Sequence, residues 1–430
     1  MLGARWMVDP AYAAPVTPEH MDHVTNPEGR LQGSDEATLL TELAAALAAQ
    51  GAPAHRLEDA VSALAKQLGV KARFFAMPTA VFATFEDENG PQTTLIEVKS
   101  SDVHLERLVG LDRVLNDVWE GKCTAPEGID RIRAISVQPN RYPAAVSIAC
   151  FALVSAMAAR FFGGGLADMG AAGAIGLLVG VLCDLTSRRR EYARVLEFVA
   201  GIMAVLTGML LGAAFDGINP QTASLAGVIF LLPGLTLTMA VTELSTRNWV
   251  AGSSRLVGAM TILVMIGFGV AMGQQIGMKI GLESTGESVP LPEWTLWASL
   301  AAIPPGFVVL FRALWRDLWI MALAALTAFL GARLGSSMLG AQLGVCVGAL
   351  LVGMLSNGYA RVFNRPAVVA SAPGILLLVP GAIGFQSMAA FSSQDALEGI
   401  TLAVNMMLVA AGLVTGLLLA NVALPPRKAL

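Results

Sequence analysis

The residues best placed to do chemistry in this sequence are backbone breakers and small polar side chains set inside apolar runs. Pro233-Gly234 and Pro380-Gly381 each fall near the middle of such a run. Proline removes a backbone donor and glycine leaves the chain pliable, so each pair predicts a helix interrupted midway. Freed amides and carbonyls are costly in hydrocarbon and are tolerated only where they line a polar space or are buried against protein. A half-helix N-terminus offers partial positive charge to a carboxylate, and half-helix carbonyls suit a cation. Thr236 and Thr238 follow the first break, Gln386 follows the second, and Asn405 lies in the last apolar run. Together with the two Pro-Gly pairs they form the candidate substrate-binding set, although a hydroxyl in such a helix also bonds its own backbone. Three carboxylates are candidates for proton coupling: Asp184 and Glu197, which flank Arg188-Arg189-Arg190, and Glu243 at the end of the run that holds Pro233. The competing reading pairs them with neighbouring arginines at the membrane edge.

The elements that must position these residues are membrane helices. Of 430 residues 55% are apolar and only 14% charged, and 44 are glycine, a profile foreign to a water-soluble domain of this length. Ten apolar runs are predicted, near 143–161, 168–185, 195–214, 222–241, 255–276, 294–311, 317–334, 338–356, 367–387 and 397–420. Each is long enough to cross about 30 Å of hydrocarbon, given the rise of a helix. With the N-terminus placed in the cytoplasm, the loops on that side hold fifteen lysines and arginines, and the opposite loops hold only Arg160, Lys279 and Arg333. Both termini are therefore expected to be cytoplasmic, in the plasma (inner) membrane.

An internal duplication surfaces when the two breaks are aligned. Ser224 to Gly234 (SLAGVIFLLPG) and Ser371 to Gly381 (SAPGILLLVPG) share five of eleven positions without a gap, 147 residues apart. That shift lays the first five runs on the second five. Five is odd, so tandem copies insert with opposite orientation, an architecture recurrent in transporters. The expected fold is mostly α: a polytopic bundle of ten transmembrane helices as two inverted five-helix repeats, at 141–276 and 290–422, behind a small α+β cytoplasmic domain at 37–140.

In that front domain, 37–50 and 54–68 show helical spacing and stop at Gly51 and Gly69. Short strands are expected at 72–76, 80–85 and 93–98, with a turn at 86–91, then a helix from Asp102 to Trp119 stopped by Gly121 and another from Pro126. Residues 1–36 are expected to be a disordered tail, including the His20-x-x-His23 pair, and lack the apolar core of a signal peptide. Glu58, Asp59, Glu97, Asp102, His55 and His104 have no catalytic or metal-binding spacing and read as solvated faces and caps. Cys123, Cys150, Cys183 and Cys346 show no pairing pattern, so no disulfide, metal or other cofactor is expected. The Gly-rich series at 170, 173, 176 and 180, and at 340, 344 and 348, lack the strand-turn-helix setting of a phosphate loop and read as helix-packing stripes. Nothing resembles a nucleic-acid footprint.

Taken in order, Arg56-Leu57-Glu58, Leu68-Gly69, Pro78-Thr79, Gly121, Pro233-Gly234, Glu243, Gly252, Arg361, Arg365-Pro366-Ala367 and Val379-Pro380-Gly381 resemble the threonine/serine exporter family, over roughly 37–420. The resemblance implies a cytoplasmic domain ahead of ten helices and export of threonine and serine driven by the proton gradient. The acidic position after the family's first Pro-Gly is more often Asp; here Glu243 keeps the carboxylate. A related two-subunit form is linked to dicarboxylate export. The expected partners are a small amino acid, protons and the lipid bilayer, with a homo-oligomer left open. The alternatives are an exporter of dicarboxylates such as succinate, a membrane-anchored enzyme or regulator working through 37–140, and a passive channel. An anchor needs one or two spans, which weighs against the second, and an enzyme is not expected.

Overall fold

The computed structural model describes residues 35–87, 90–98, 103–187, 190–282, 286–378, 381–392 and 396–425. Of the expected tail, residues 1–34 lie outside this set, with His20 and His23, while Asp35 and Glu36 already belong to a helix. The first part runs α1 (Asp35–Ala49), α2 (Ala54–Gln67), β1 (Ala72–Met77), β2 (Ala80–Asp87), β3 (Gly90–Glu97), α3 (Leu105–Trp119) and α4 (Ala125–Val137). The strands form an antiparallel meander in the order β1-β2-β3, with Phe74 opposite Ala83 and Val81 opposite Ile96. Alternation decides its faces: Phe74, Ala76, Val81, Ala83 and Ile96 are buried, whereas Phe75 and Leu95 are exposed. Leu39, Leu40, Leu43 and Leu47 of α1 and Leu57 and Leu64 of α2 are wholly buried within this core.

Helix ends follow local rules. Gly51 and Gly69 close α1 and α2 at φ +77° and +73°, a backbone region that glycine takes without a Cβ penalty. The Thr124 amide donates to the Glu127 carboxylate at 3.0 Å, one arm of the capping box that opens α4. The start of α3, expected at Asp102, lies outside the described residues; the described helix begins at Leu105 with His104 as its cap.

The remaining chain is helical: α5 (Ala144–Phe161), α6 (Leu166–Ser187), α7 (Arg190–Ala193), α8 (Leu196–Ala214), α9 (Pro220–Gly227), α10 (Gly234–Ser245), α11 (Trp249–Lys279), α12 (Trp294–Leu310), α13 (Leu318–Leu339), α14 (Ala341–Phe363), α15 (Val368–Leu378), α16 (Gly381–Ser392) and α17 (Ala396–Ala423). Among the described residues eight segments are long and apolar enough to cross a bilayer, and a ninth is the bent pair of α9 with the stretch from Ile229 to Ser245, kinked by 48°. The ten expected spans are thus met by eight to nine. The outlier is α12, whose 17 residues cover only about 26 Å at the rise of an α-helix, short of the roughly 30 Å hydrocarbon core.

Large apolar side chains such as Val257, Val264 and Phe268 on α11 and Leu330 and Leu334 on α13 stand exposed, a surface suited to lipid. Trp249, Trp294, Trp315 and Trp319, all exposed, sit at or beside helix starts, where amphipathic rings meet the bilayer interface. Small residues bring backbones together. A Cβ on Gly176 would meet the Phe151 carbonyl of α5 at 2.7 Å, and one on Gly348 would meet the Ala332 amide of α13 at 3.0 Å.

Packing pairs recur in the two membrane segments. In the first, α8 and α10 pack on α11, and α6 and α8 on α9; in the second, α14 and α16 pack on α17, and α13 and α14 on α15. Between the segments, α5 packs on α12, α11 meets α16 while α10 meets α17, and α10 meets α15 while α9 meets α16.

Candidate functional site

The first break is built as its residues dictate. α9 stops at Gly227, a single 3-10 turn covers Ile229–Leu231, and Pro233 at φ −79° and ψ 43° precedes α10. The Gly234 amide turns back to the Leu232 carbonyl at 2.8 Å. Pro233 and Gly234 are both buried. Thr238 is buried too, and its hydroxyl donates to the Gly234 carbonyl at 3.1 Å, the back-bond a membrane hydroxyl commonly makes. At the second break Val379 and Pro380 lie outside the described residues; α15 ends before them and α16 begins after them at a buried Gly381.

A cavity of about 140 Å³ opens where both membrane segments meet the α+β domain. One face of α10 lines it with Leu235, Thr238 and Thr242; α14 contributes Ser356 and Asn357, α15 Ser371, α17 Asn421, and the start of α2 His55 and Arg56. The Asn357 side-chain amide donates to the Asn421 carbonyl oxygen at 2.9 Å and to the Leu424 backbone at 2.8 Å. The His55 Nδ1 is buried without a hydrogen-bond partner among the described residues. Burial, then the Arg56 and Arg255 charges, hold the His55 imidazole down at about 4, so it is neutral at physiological pH.

Glu243 is fully buried at the far end of α10. It accepts from the Arg255 Nε at 3.0 Å and from the amide of Ala54, the first residue of α2, at 2.9 Å. A membrane-helix carboxylate thereby caps a helix of the α+β domain from 189 positions away, at the helix end that carries partial positive charge. Arg255 also reaches the Ala52 carbonyl at 3.4 Å. A second docking point joins the Leu105 and Glu106 amides of α3 to the Phe311 and Arg312 carbonyls, at 3.0 and 3.1 Å. Glu58, read from sequence as a solvated group, is partly buried and holds the Ala76 amide of β1 at 2.7 Å; burial pushes its carboxyl upward.

The remaining expected site residues are dispersed. Thr236 is half-buried and does not line the cavity, because two residues along a helix turn it away from Thr238. Gln386 is exposed, and Asn405 accepts from the Gln342 side chain at 3.5 Å. Asp184 and Glu197 are half-buried near the ends of α6 and α8, and neither lines the cavity; Arg188 and Arg189 beside them lie outside the described residues. Arg56, His55, Ser356 and Asn357 line this shared cavity without any local sequence pattern that marks them as doing so. Two buried aspartates also fall outside the sequence expectations: Asp168 in the first turn of α6 and Asp317 just ahead of α13. Among the described residues no group of three or more His, Cys, Asp or Glu could hold a metal ion.

Long apolar helices, a broken span and a docked α+β domain define a multi-pass helical membrane protein. The chain belongs to the threonine/serine exporter family: residues 38–277 match the family described as "Putative threonine/serine exporter", and residues 295–423 match "Threonine/Serine exporter, ThrE". Relatives include the "Pheromone-regulated membrane protein 10" of Kluyveromyces lactis, 28% identical over 81% of this chain and 38% of the relative. Those of Debaryomyces hansenii (27% identical; 81% of this chain, 36% of the relative) and Eremothecium gossypii (24%; 87% and 54%) are similar. The chain thus spans between about a third and a half of the length of these relatives. No solved structure matches it.

Proposed function

We propose that this chain is a secondary transporter that exports threonine, serine or similar small amino acids by proton antiport, with two inverted five-helix repeats rocking against one another. The observation that carries this reading is reciprocal packing: α10 on α15 answers α9 on α16, and α11 on α16 answers α10 on α17. Mutual exchange of partners is what a two-fold relation between halves demands. In this reading the substrate path runs between the halves beside α10, where Thr238 and Thr242 share a cavity with Ser371 and Asn421. This reading puts the N-terminal α+β domain on the cytoplasmic side, which the concentration of loop arginines on that side supports. Glu243 is the favoured proton-coupling carboxylate, because protonating it would weaken both the Arg255 pair and the hold on α2 in one step.

The test is efflux of a labelled amino-acid panel, with succinate as competitor, from proteoliposomes with and without a pH gradient. Threonine and serine should leave faster when the gradient is imposed, and collapse of the gradient should slow them. Flux of no panel member, or flux indifferent to the gradient, would overturn the reading; succinate outcompeting both amino acids would move the substrate to dicarboxylates.

A further inference from the structure

The cavity shared by the α+β domain and both membrane segments holds two groups that the fold itself leaves unanswered. Arg56, in the first turn of α2, has neither an ion pair nor a hydrogen bond among the described residues. Its neighbour in charge, Arg255, is committed to Glu243 at 3.0 Å. Burial disfavours the Arg56 charge and Asp59 offsets this only in part. Beside it the His55 Nδ1 is buried and unpartnered. Buried polar groups are almost always satisfied, so an orphaned imidazole nitrogen next to an unpaired guanidinium marks a place where something else binds. The first turn of the 11-residue α15 borders the same space through Val368 and Ser371, and a helix N-terminus adds favourable potential for an anion.

We infer that Arg56 is the carboxylate anchor of the transported solute: the α+β domain supplies a wall of the substrate site. This rests on the transport reading above. A guanidinium fork matches a carboxylate in two parallel hydrogen bonds, which selects a small acid over a neutral solute of the same shape. The neutral imidazole of His55 lines the same cavity. A cavity of about 140 Å³ admits a free amino acid or a short diacid and excludes a nucleotide or a lipid headgroup with its chains.

The experiment uses the full chain in proteoliposomes and compares wild type, Arg56→Gln and Arg56→Lys on labelled threonine, with threonine methyl ester and inorganic phosphate as competitors. The expected result is a KM for threonine raised about tenfold or more in Arg56→Gln, with kcat changed far less, and an intermediate rise in Arg56→Lys, as loss of a charge-assisted pair predicts. The ester should compete poorly with wild type and no worse with Arg56→Gln. An Arg56→Gln KM within about twofold of wild type, or phosphate competing as well as threonine, overturns the inference. Should Arg56→Gln fail to insert, Ser371→Cys in a background cleared of other cysteines decides: threonine, and not its ester, should slow alkylation at that position, and equal rates with and without threonine overturn the inference. Wild type that moves no amino acid or dicarboxylate breaks the transport reading itself; wild type that moves threonine while Arg56→Gln matches it breaks only the assignment of Arg56.

Discussion

The membrane segment from α5 to α11 and the one from α12 to α17 are built alike and terminated differently. Both open their second helix on a buried aspartate that fastens the approach to the following short helix, α9 or α15. Asp168 takes the Gly165 amide at 2.8 Å and that of Asn219, the cap of α9, at 2.6 Å. Asp317 pairs instead with Arg365, just ahead of α15, while Tyr359 supports the same guanidinium at 3.4 Å. At the far end of the bent helix the likeness stops. Glu243 and Arg255 grip the α+β domain, whereas the positions 147 residues on are Ala390 and Leu402, which can form no such pair. The scaffold is shared and the docking chemistry belongs to one segment, as expected if only one of two oppositely directed ends faces the domain.

The largest effect should come from breaking that asymmetry. Glu243→Ala leaves Arg255 buried without its partner and strips the cap from α2, and loss of one member of a buried pair costs about 3–5 kcal/mol. The expected outcome is a lower melting temperature in detergent and faster amide exchange at Ala54. Glu243→Leu combined with Arg255→Leu should recover much of the loss, since a well-packed apolar pair avoids an uncompensated charge. Unchanged exchange at Ala54 in Glu243→Ala would show that the domain is held by other contacts.

Asp317→Ala and Asp168→Ala test the shared feature and should rank below it. Removing Asp317 strands Arg365, but that side chain keeps 22% exposure and can recover water, so about 2–3 kcal/mol is expected. Removing Asp168 leaves two backbone amides to find water or strain, at about 1–3 kcal/mol. Chemical or thermal unfolding of the two variants side by side reads the difference. A neutral result at either aspartate would end the claim that the two segments use this position alike.

How much of this was legible beforehand follows from what kind of information each feature needs. The two Pro-Gly pairs, the helix stops at Gly51 and Gly69 and the alternation of the three strands are local, and periodicity and turn chemistry expose them. The burial of Glu243 is not local: a carboxylate at the end of an apolar run reads as a membrane-edge group until α2 is seen to dock on it. His55 likewise reads as a solvated helix face, and Arg56 only as part of a family pattern, because nothing in a 14-residue amphipathic stretch says that its first turn closes a cavity lined by five other helices. Gln386 and Asn405 are polar and lie near a break in sequence or in the last apolar run, and that is all the sequence says of them. A helix turns about 100° per residue, so nearness in sequence does not select a face.

The smallest effect compares the two docking points through their histidines. His55 lies in the first turn of α2, beside the Glu243 contact, and faces Arg56 and Arg255; His104 caps α3 beside the Phe311 and Arg312 contact and faces Arg107, Arg312 and Glu106. Burial, then the neighbouring arginines, lowers each from 6.5 to about 4. A lowered pKa means that the unfolded or undocked chain binds the extra proton first, so the stabilisation is complete above 6.5 and declines as pH falls through the window down to about 4. Near neutral pH the change is slight, and it steepens on acidification. Melting temperature followed from pH 7.5 downward should therefore bend below about 6.5, with His55→Gln and His104→Gln each removing part of the bend. If His104→Gln flattens the curve and His55→Gln leaves it untouched, the α3 docking point carries the acid sensitivity alone, and the imidazole beside Arg56 is already compensated in the folded chain.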